Sequence, residues 1–131
     1  MILFLDTNIV IYGVEQHRIF GPKVRKRLAM ARAASDAIMT SDLTRMECFV
    51  LPLRVGDVAL QQVFHGFFAL SIVVPITPSV CDRAALIRAV HRFKPMDALQ
   101  LAAAVEHGAD TFLTNDVRLR SFPDLTIELL P

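Results

Sequence analysis

The chain has 131 residues, of which 53% are hydrophobic and 21% charged, and this length and composition are typical of one globular domain, expected across residues 1–131. Its 14 basic and 13 acidic residues give a formal net charge of +1, which excludes recruitment of nucleic acid or membrane by bulk charge. No run of apolar residues approaches the roughly 18 that span a bilayer, and the N-terminus carries no basic leader, so we expect a cytoplasmic protein without signal peptide or membrane span.

Strand-like and helix-like segments alternate along the chain. Five short apolar runs predict strands, in chain order Ile2–Leu5, Ala37–Thr40, Ile72–Ile76, Thr111–Thr114 and Thr126–Leu129. Segments with helical spacing lie between them, at residues 22–34, 41–54, 56–70, 78–93 and 95–110. Because most of the strands show little polar alternation, they suit a sheet that is buried on both faces. The pattern therefore predicts an α/β fold with a mostly parallel sheet.

The helix over residues 41–54 carries two specific expectations. Leu43, Met46 and Val50 recur at helical spacing, which predicts a helix over this segment. Pro52 lacks a backbone N–H, so we expect it to end or bend the helix.

Four acidic residues occupy positions that suit a shared site. Asp6 follows the first strand directly, and Asp116 follows the fourth strand after one residue. Ligands of open α/β sheets bind beyond the carboxyl ends of the strands, so both side chains should lie at the same edge. Glu47 lies on a largely apolar helical strip, and Asp97 lies in the first turn of the last helix.

Convergence of these carboxylates would need a compensating charge. Each close pair costs about 4 kcal/mol at 4 Å and an effective dielectric near 20, and neither Glu47 nor Asp97 has a basic residue four positions away on its own helix. Mg²⁺ or Mn²⁺ would offset this repulsion, because both prefer hard oxygen ligands. Local explanations also remain open: Asp6 as a cap, Thr44 and Glu47 as a capping box, Asp97 as a helix-dipole partner, and Asp116 in an Asx turn.

Four segments, "FLDTNIVIY", "TSDLTRMECFVLPLR", "KPMDALQLAAAVEHGAD" and "TFLTNDVRL", resemble the PIN domain family, specifically its VapC-like bacterial toxin branch, over nearly the whole chain. The resemblance implies a three-layer α/β/α fold around a mostly parallel sheet of about five short strands. It also implies that Asp6, Glu47, Asp97 and Asp116 bind Mg²⁺ or Mn²⁺ and are catalytic. Polar residues of the family surround the site at Thr7, Asn8, Thr114 and Asn115.

The function implied by the resemblance is a metal-dependent RNA endonuclease that acts as the toxin of a toxin–antitoxin pair. Its implied partners are an RNA substrate, a VapB-like antitoxin and a second copy in a homodimer. Arg118 and Arg120 are possible RNA contacts. Two alternatives stay open: a PIN-fold module that binds RNA or protein with little catalysis, and a haloacid-dehalogenase-like phosphatase, which would need an aspartate where Asn8 stands.

Three further groups of residues have competing interpretations. The basic residues of the segment 22–34 are either phosphate contacts or a solvated helix face. Phe64, Phe67 and Phe68 are either core residues or part of a homodimer interface. The two cysteines belong to no metal-binding pattern, and we expect reduced thiols in the core.

Overall fold

The computed structural model describes residues 1–131 and confirms the α/β fold. Five parallel strands form one sheet in the order β3-β2-β1-β4-β5, with β1 Ile2–Leu5, β2 Ala37–Ser41, β3 Ile72–Val74, β4 Thr111–Thr114 and β5 Thr126–Leu129. Six α-helices surround it: α1 Thr7–Val14, α2 Phe20–Ala33, α3 Asp42–Val55, α4 Val58–Ala69, α5 Pro78–His91 and α6 Pro95–Glu106. A short 3-10 helix, Val117–Ser121, follows β4.

The sheet is covered on both faces, which explains why its strands lack polar alternation. On one face, α5 and α6 pack over Phe4 and Phe112, whose rings stack with centroids 5.3 Å apart. On the other face, α1 to α4 contribute to a second core around Leu3, Leu5 and Leu113. Successive residues of β1 therefore enter opposite cores, and both sets of side chains are apolar.

The order of the strands creates a crevice at the carboxyl end of the sheet. β1 is central, with β2 on one side and β4 on the other. The chain leaves β1 towards β2 and returns much later as β4, so the loops after β1 and β4 diverge on opposite sides of this point. The backbone N–H of Asp6 donates to Leu113 O at 3.0 Å, which fixes the start of α1 next to the end of β4.

The inward face of α3 does not follow from the spacing of its apolar residues, and the helix does not end at Pro52. Met46 is 51% exposed and Val50 is also exposed, whereas Thr44, Cys48 and Pro52 form the buried face of α3. Apolar residues occupy several sides of this helix, so their spacing alone does not identify the inward face. Of the two effects expected of Pro52, an end to the helix is not found, because the helix continues to Val55 and the missing N–H in its last turn removes a single helical hydrogen bond.

The helix α1 was not predicted, and one strand is shorter than expected. The segment Thr7–Val14 is almost wholly apolar after Asn8, so its sequence lacks the polar positions that mark a surface helix. β3 ends at Val74 rather than Ile76, because Pro75 has no N–H to donate to the neighbouring strand.

The structure also answers the questions about cysteines, phenylalanines and membrane spans. Cys48 and Cys81 are both free, but only Cys48 is buried, so the expectation of a core thiol was wrong for Cys81. Phe64 and Phe68 are buried in the second core, which favours core packing over a homodimer interface for these rings. None of the helices has both the length and the hydropathy needed to cross a membrane.

Candidate active site

One polar pocket of about 210 Å³ lies at the carboxyl end of the sheet. It is lined by ten residues: Asp6, Thr7, Asn8, Glu47, Lys94, Met96, Asp97, Gln100, Asp116 and Arg118. All four of the acidic residues singled out in the sequence line this pocket. They come from the end of β1, from α3, from the first turn of α6 and from the loop after β4.

Asp6 is both a helix cap and a wall of the pocket. Its Oδ1 accepts from the backbone N–H of Thr7 at 2.8 Å, which caps α1, and its Oδ2 accepts from Thr114 Oγ1 at 2.8 Å. Burial raises the pKa of Asp6 to about 6, and the charges of Asp97 and Glu47 add to the rise against these hydrogen bonds. Since neighbouring charges affect Asp6, the carboxylates act on one another across the pocket.

Asp116 and Asp97 share a cation that belongs to the chain itself. Asp116 accepts from the backbone N–H of Arg118 at 3.0 Å and from Arg118 Nε at 2.9 Å. Arg118 Nη2 also lies 3.8 Å from Asp97 Oδ2. The hydrogen bond from Arg118 holds the pKa of Asp116 below its usual value, while burial and the charge of Asp116 raise the pKa of Asp97.

Glu47 is positioned by a buried polar network centred on Gln100, which is only 2% exposed. Thr7 Oγ1 donates to Glu47 Oε1 at 2.9 Å. Gln100 Nε2 donates to Thr7 Oγ1 at 3.0 Å and to Thr44 Oγ1 at 2.7 Å, and Ser41 Oγ donates to Gln100 Oε1 at 2.6 Å. Thr44 is therefore not half of a capping box with Glu47, because its hydroxyl is used inside this network.

The Glu47 carboxylate determines which groups of the network donate hydrogen bonds and which accept them. Because a carboxylate only accepts, Thr7 gives it its single hydroxyl proton, and Thr44 must then be the donor in the 2.9 Å contact between the two threonine hydroxyls. The Gln100 amide must present its NH₂ group to both threonines, which leaves its oxygen for Ser41. Every buried group of the network is satisfied, so Glu47 is held by a rigid polar support.

The polar residues expected around the acids lie in different places. Thr114 donates to Asp6 and accepts from the backbone N–H of Asp116 at 3.1 Å, so it joins two of the acids. Asn8 lines the pocket and is exposed. Asn115 Nδ2 instead donates to the hydroxyl of Tyr12 at 3.0 Å and does not line the pocket.

Three lining residues were not singled out from the sequence, namely Lys94, Met96 and Gln100. Gln100 is the one polar residue in the Ala- and Leu-rich stretch after Asp97, one helical turn further on, and that position was a usable signal. Lys94 forms the N-cap of α6 three residues before Asp97. Arg120 is exposed and lies outside the pocket.

The donors of the pocket fit a hard divalent cation in chemistry, since they are carboxylate oxygens facing a common polar space. Their spacing is wider than a finished coordination sphere, because no three of the His, Cys, Asp and Glu side chains lie close enough together to hold one ion between them. The expectation that only a metal offsets the carboxylates needs correction. Arg118 reaches the site from another element and pairs with two of them.

A family model described as "PIN domain" matches residues 3–125. No curated protein matches the chain. Among solved structures, VapBC2 from Rickettsia felis bound to a promoter DNA fragment aligns with a TM-score of 0.79 and 19% identity, covering 100% of both chains. DNA-bound VapBC from Salmonella typhimurium gives 0.76 and 20%, covering 100% of this chain and 99% of that one. VapC20 from Mycobacterium tuberculosis, described as a sarcin-ricin loop cleaving toxin, gives 0.68 and 18%, covering 95% and 98%.

Proposed function

The chain belongs to the PIN domain family, and on that basis we propose that it is a metal-dependent RNA endonuclease, a single domain acting as the toxin of a VapBC-like toxin–antitoxin pair. One observation carries the proposal. Asp6, Glu47, Asp97 and Asp116 come from four separate parts of the chain and line one pocket. If the four acids served only as helix caps or solvated surface charges, nothing would favour their meeting in one pocket, because their mutual repulsion destabilises the protein.

In the proposed site, Asp6, Asp97 and Glu47 would hold Mg²⁺ or Mn²⁺, directly or through water, and Asp116 would complete a second metal position or orient the attacking water. When bound, the cation would offset charge on the phosphate and make water a stronger nucleophile at neutral pH. Thr114 and Thr7 hold Asp6 and Glu47 in their rotamers through the hydrogen bonds described above. Hydrolysis then proceeds in line, without a covalent enzyme intermediate.

The test is RNA cleavage by protein purified free of any antitoxin. We expect cleavage with Mg²⁺ or Mn²⁺, none in EDTA, and a loss of at least ~100-fold in Asp6→Asn and Asp97→Asn. Asp124→Asn is the matched control, since Asp124 is exposed and lies outside the pocket. Equal cleavage by the wild type and both pocket variants would identify a contaminating nuclease and end the proposal.

A separate apolar groove supports the antitoxin part of the proposal. It has a volume of about 590 Å³ and is bordered by α1, α2, α4 and the strands β2 and β3, with Ile9, Val24, Leu28, Ile38, Phe67 and Leu70 among its lining residues. An exposed groove of this kind suits a partner's apolar side chains. We propose a VapB-like antitoxin as its occupant, because the Rickettsia felis and Salmonella typhimurium structures with this fold are described as VapBC, and one from Klebsiella pneumoniae as a toxin–antitoxin complex.

A binding module with little catalysis is the remaining alternative. Such a module would have the same fold but would not bind metal in the pocket. Titration calorimetry with Mn²⁺ therefore separates it from the nuclease. Absence of binding across millimolar Mn²⁺ would favour the module. The phosphatase alternative has lost its support, because family membership now accounts for the aspartate after β1 and because Asn8 stands at the position that a second aspartate would need.

A further inference from the structure

Arg118 forms an unusually complete pair with Asp116. Its Nε approaches Oδ1 at 2.9 Å and Oδ2 at 3.1 Å, its Nη2 also donates to Oδ2, and its backbone N–H donates to Oδ1 at 3.0 Å. Both oxygens of Asp116 therefore accept from one residue. The 3-10 helix that starts at Val117 enforces this arrangement, because its first turn folds the backbone of Arg118 onto the Asp116 carboxylate.

The same guanidinium also faces Asp97, with 3.8 Å between Nη2 and Oδ2. Arg118 thus faces two of the four carboxylates that line the pocket, and Lys94, which also lines it, acts on the same two through its charge without forming an ion pair. The contact with Asp97 is longer than a hydrogen bond and Arg118 is 57% exposed, so the side chain is free to leave without disturbing the core. Arg120, two residues further on, is exposed and makes no ion pair.

We propose that Arg118 is the resident counter-ion of the pocket and that a divalent cation competes with it for Asp97 and Asp116. This inference rests on the proposed function. A metal ion needs carboxylate oxygens that Arg118 uses, so binding of the ion and release of the guanidinium are linked, and the affinity for metal falls by the strength of the Arg118 pairing. The released guanidinium is then available to an RNA phosphate, which it can bind in the same bidentate way.

The test is Mn²⁺ binding by calorimetry at pH 7.5 for the wild type, Arg118→Gln, Arg118→Lys and Arg120→Gln. Arg118→Gln should bind Mn²⁺ roughly three- to tenfold more tightly, the range expected for a charge-assisted pair at a partly exposed site. Arg118→Lys keeps the charge but loses the bidentate geometry, so its affinity for Mn²⁺ should lie between those of the wild type and Arg118→Gln. Arg120→Gln removes the same charge from outside the pocket and should stay within about twofold of the wild type.

A second measurement needs no metal. In EDTA, Arg118→Gln should unfold at a lower temperature than Arg120→Gln, because the paired carboxylates lose their cation. Adding Asp97→Asn and Asp116→Asn to both variants should abolish this difference. Unchanged or weaker Mn²⁺ binding in Arg118→Gln would overturn the counter-ion role and leave the proposed nuclease standing. No binding by the wild type across millimolar Mn²⁺ would overturn the nuclease proposal and the competition together.

Discussion

Asp6 shows how one side chain satisfies a local and a long-range requirement together. As the N-cap of α1 it accepts from Thr7 N, and this role alone would explain an aspartate after a strand. The same position at the carboxyl end of the central strand directs it towards Asp97 and Glu47, whose charges raise its pKa further. The capping explanation and the site explanation are therefore compatible, and the raised pKa is what distinguishes this cap from an ordinary one.

The raised pKa of Asp6 predicts a pH-dependent gain in stability on its removal. A pKa of about 6 in the folded state, above the unfolded value near 3.9, means that the folded protein holds the proton more tightly. The stability that this tighter proton binding contributes to the folded protein is fully present below pH 4 and is lost as the pH rises through 6. Asp6→Asn escapes this loss, so it should be more stable than the wild type by about 2 to 3 kcal/mol above pH 7, with no difference near pH 4.

Urea unfolding in EDTA between pH 4 and 8 measures this effect. Asp124→Asn is again the control and should show no such trend, because its carboxylate is exposed. A wild type as stable as Asp6→Asn at pH 7.5 would mean that burial and the neighbouring charges do not destabilise the ionised Asp6 carboxylate.

The sequence predicted which acids belong together, and missed what surrounds them. The positions of Asp6 and Asp116 after parallel strands follow from α/β geometry, and Asp97 and Glu47 were considered because neither has a basic residue four positions away on its own helix. Arg118 was considered only as an RNA contact, because its pairing with Asp97 depends on how the loop after β4 folds over α6. Contacts between elements of this kind have no local sequence signature.

At the scale of elements, the network around Gln100 joins four parts of the fold. Through side-chain hydrogen bonds, this residue of α6 reaches Ser41 at the end of β2, Thr7 on α1 and Thr44 on α3. Polar groups buried this deeply cost free energy unless all are satisfied. The network therefore aligns the elements that carry Glu47, Asp97 and the cap of α1.

Gln100→Met removes the centre of the network while keeping a side chain of similar size. Ser41, Thr7 and Thr44 then lose partners in a buried site, so the free energy of unfolding should fall by about 1 to 3 kcal/mol, and Mn²⁺ binding should weaken because Glu47 loses its rigid support. Gln62→Met is the control, since Gln62 is exposed on α4. Chemical unfolding and calorimetry check both effects, and a variant as stable as the control would show that the network is dispensable.

The contact between α1 and α2 depends on the absence of a side chain at Gly13. A Cβ at this position would lie 2.9 Å from Val24 Cγ1, which is closer than packed carbons approach. Gly13→Ala should destabilise the protein by about 1 to 3 kcal/mol through this overpacking. Gly66→Ala on α4 meets no atom within 4 Å and should stabilise by up to about 1 kcal/mol through helix propensity. Thermal unfolding of the pair tests the packing, and a shift of the same sign in both would contradict it.

Prediction was strongest for strands and weakest for the orientation of helices. The bounds of β1, β4 and β5 match the apolar runs. For β1 and β4 the reason is that a strand buried on both faces needs little besides apolar residues. The inward face of α3 was not predicted, because Thr44 and Cys48 face inward while apolar residues point outward. The exposed apolar residues of α3 can be explained only from the surface of the whole molecule.

At the scale of the whole molecule, α3 and the start of α4 expose a group of apolar side chains. They are Val50, Leu51, Leu53, Val55 and Val58. Because five exposed apolar side chains lie close together in sequence here, we propose this surface as the homodimer contact implied by the family resemblance.

Leu53→Glu places a charge in that surface and should raise the dissociation constant of the dimer at least ~10-fold, because a buried unpaired carboxylate is costly at an interface. Sedimentation velocity over a concentration series measures the change. Met30→Glu, on an exposed position of α2, is the control and should sediment like the wild type. A wild type that stays monomeric at all concentrations would refute the dimer.

The proposed function requires that the pocket lined by the four carboxylates binds a divalent metal ion. The most direct measurement is anomalous diffraction from crystals of the protein grown with Mn²⁺, which locates the ion without reference to activity. We predict an anomalous peak within coordination distance of Asp6 and Asp97, with the Arg118 guanidinium moved away from Asp97. Ordered Mn²⁺ bound elsewhere, with the pocket carboxylates and Arg118 arranged as they are here, would contradict the account.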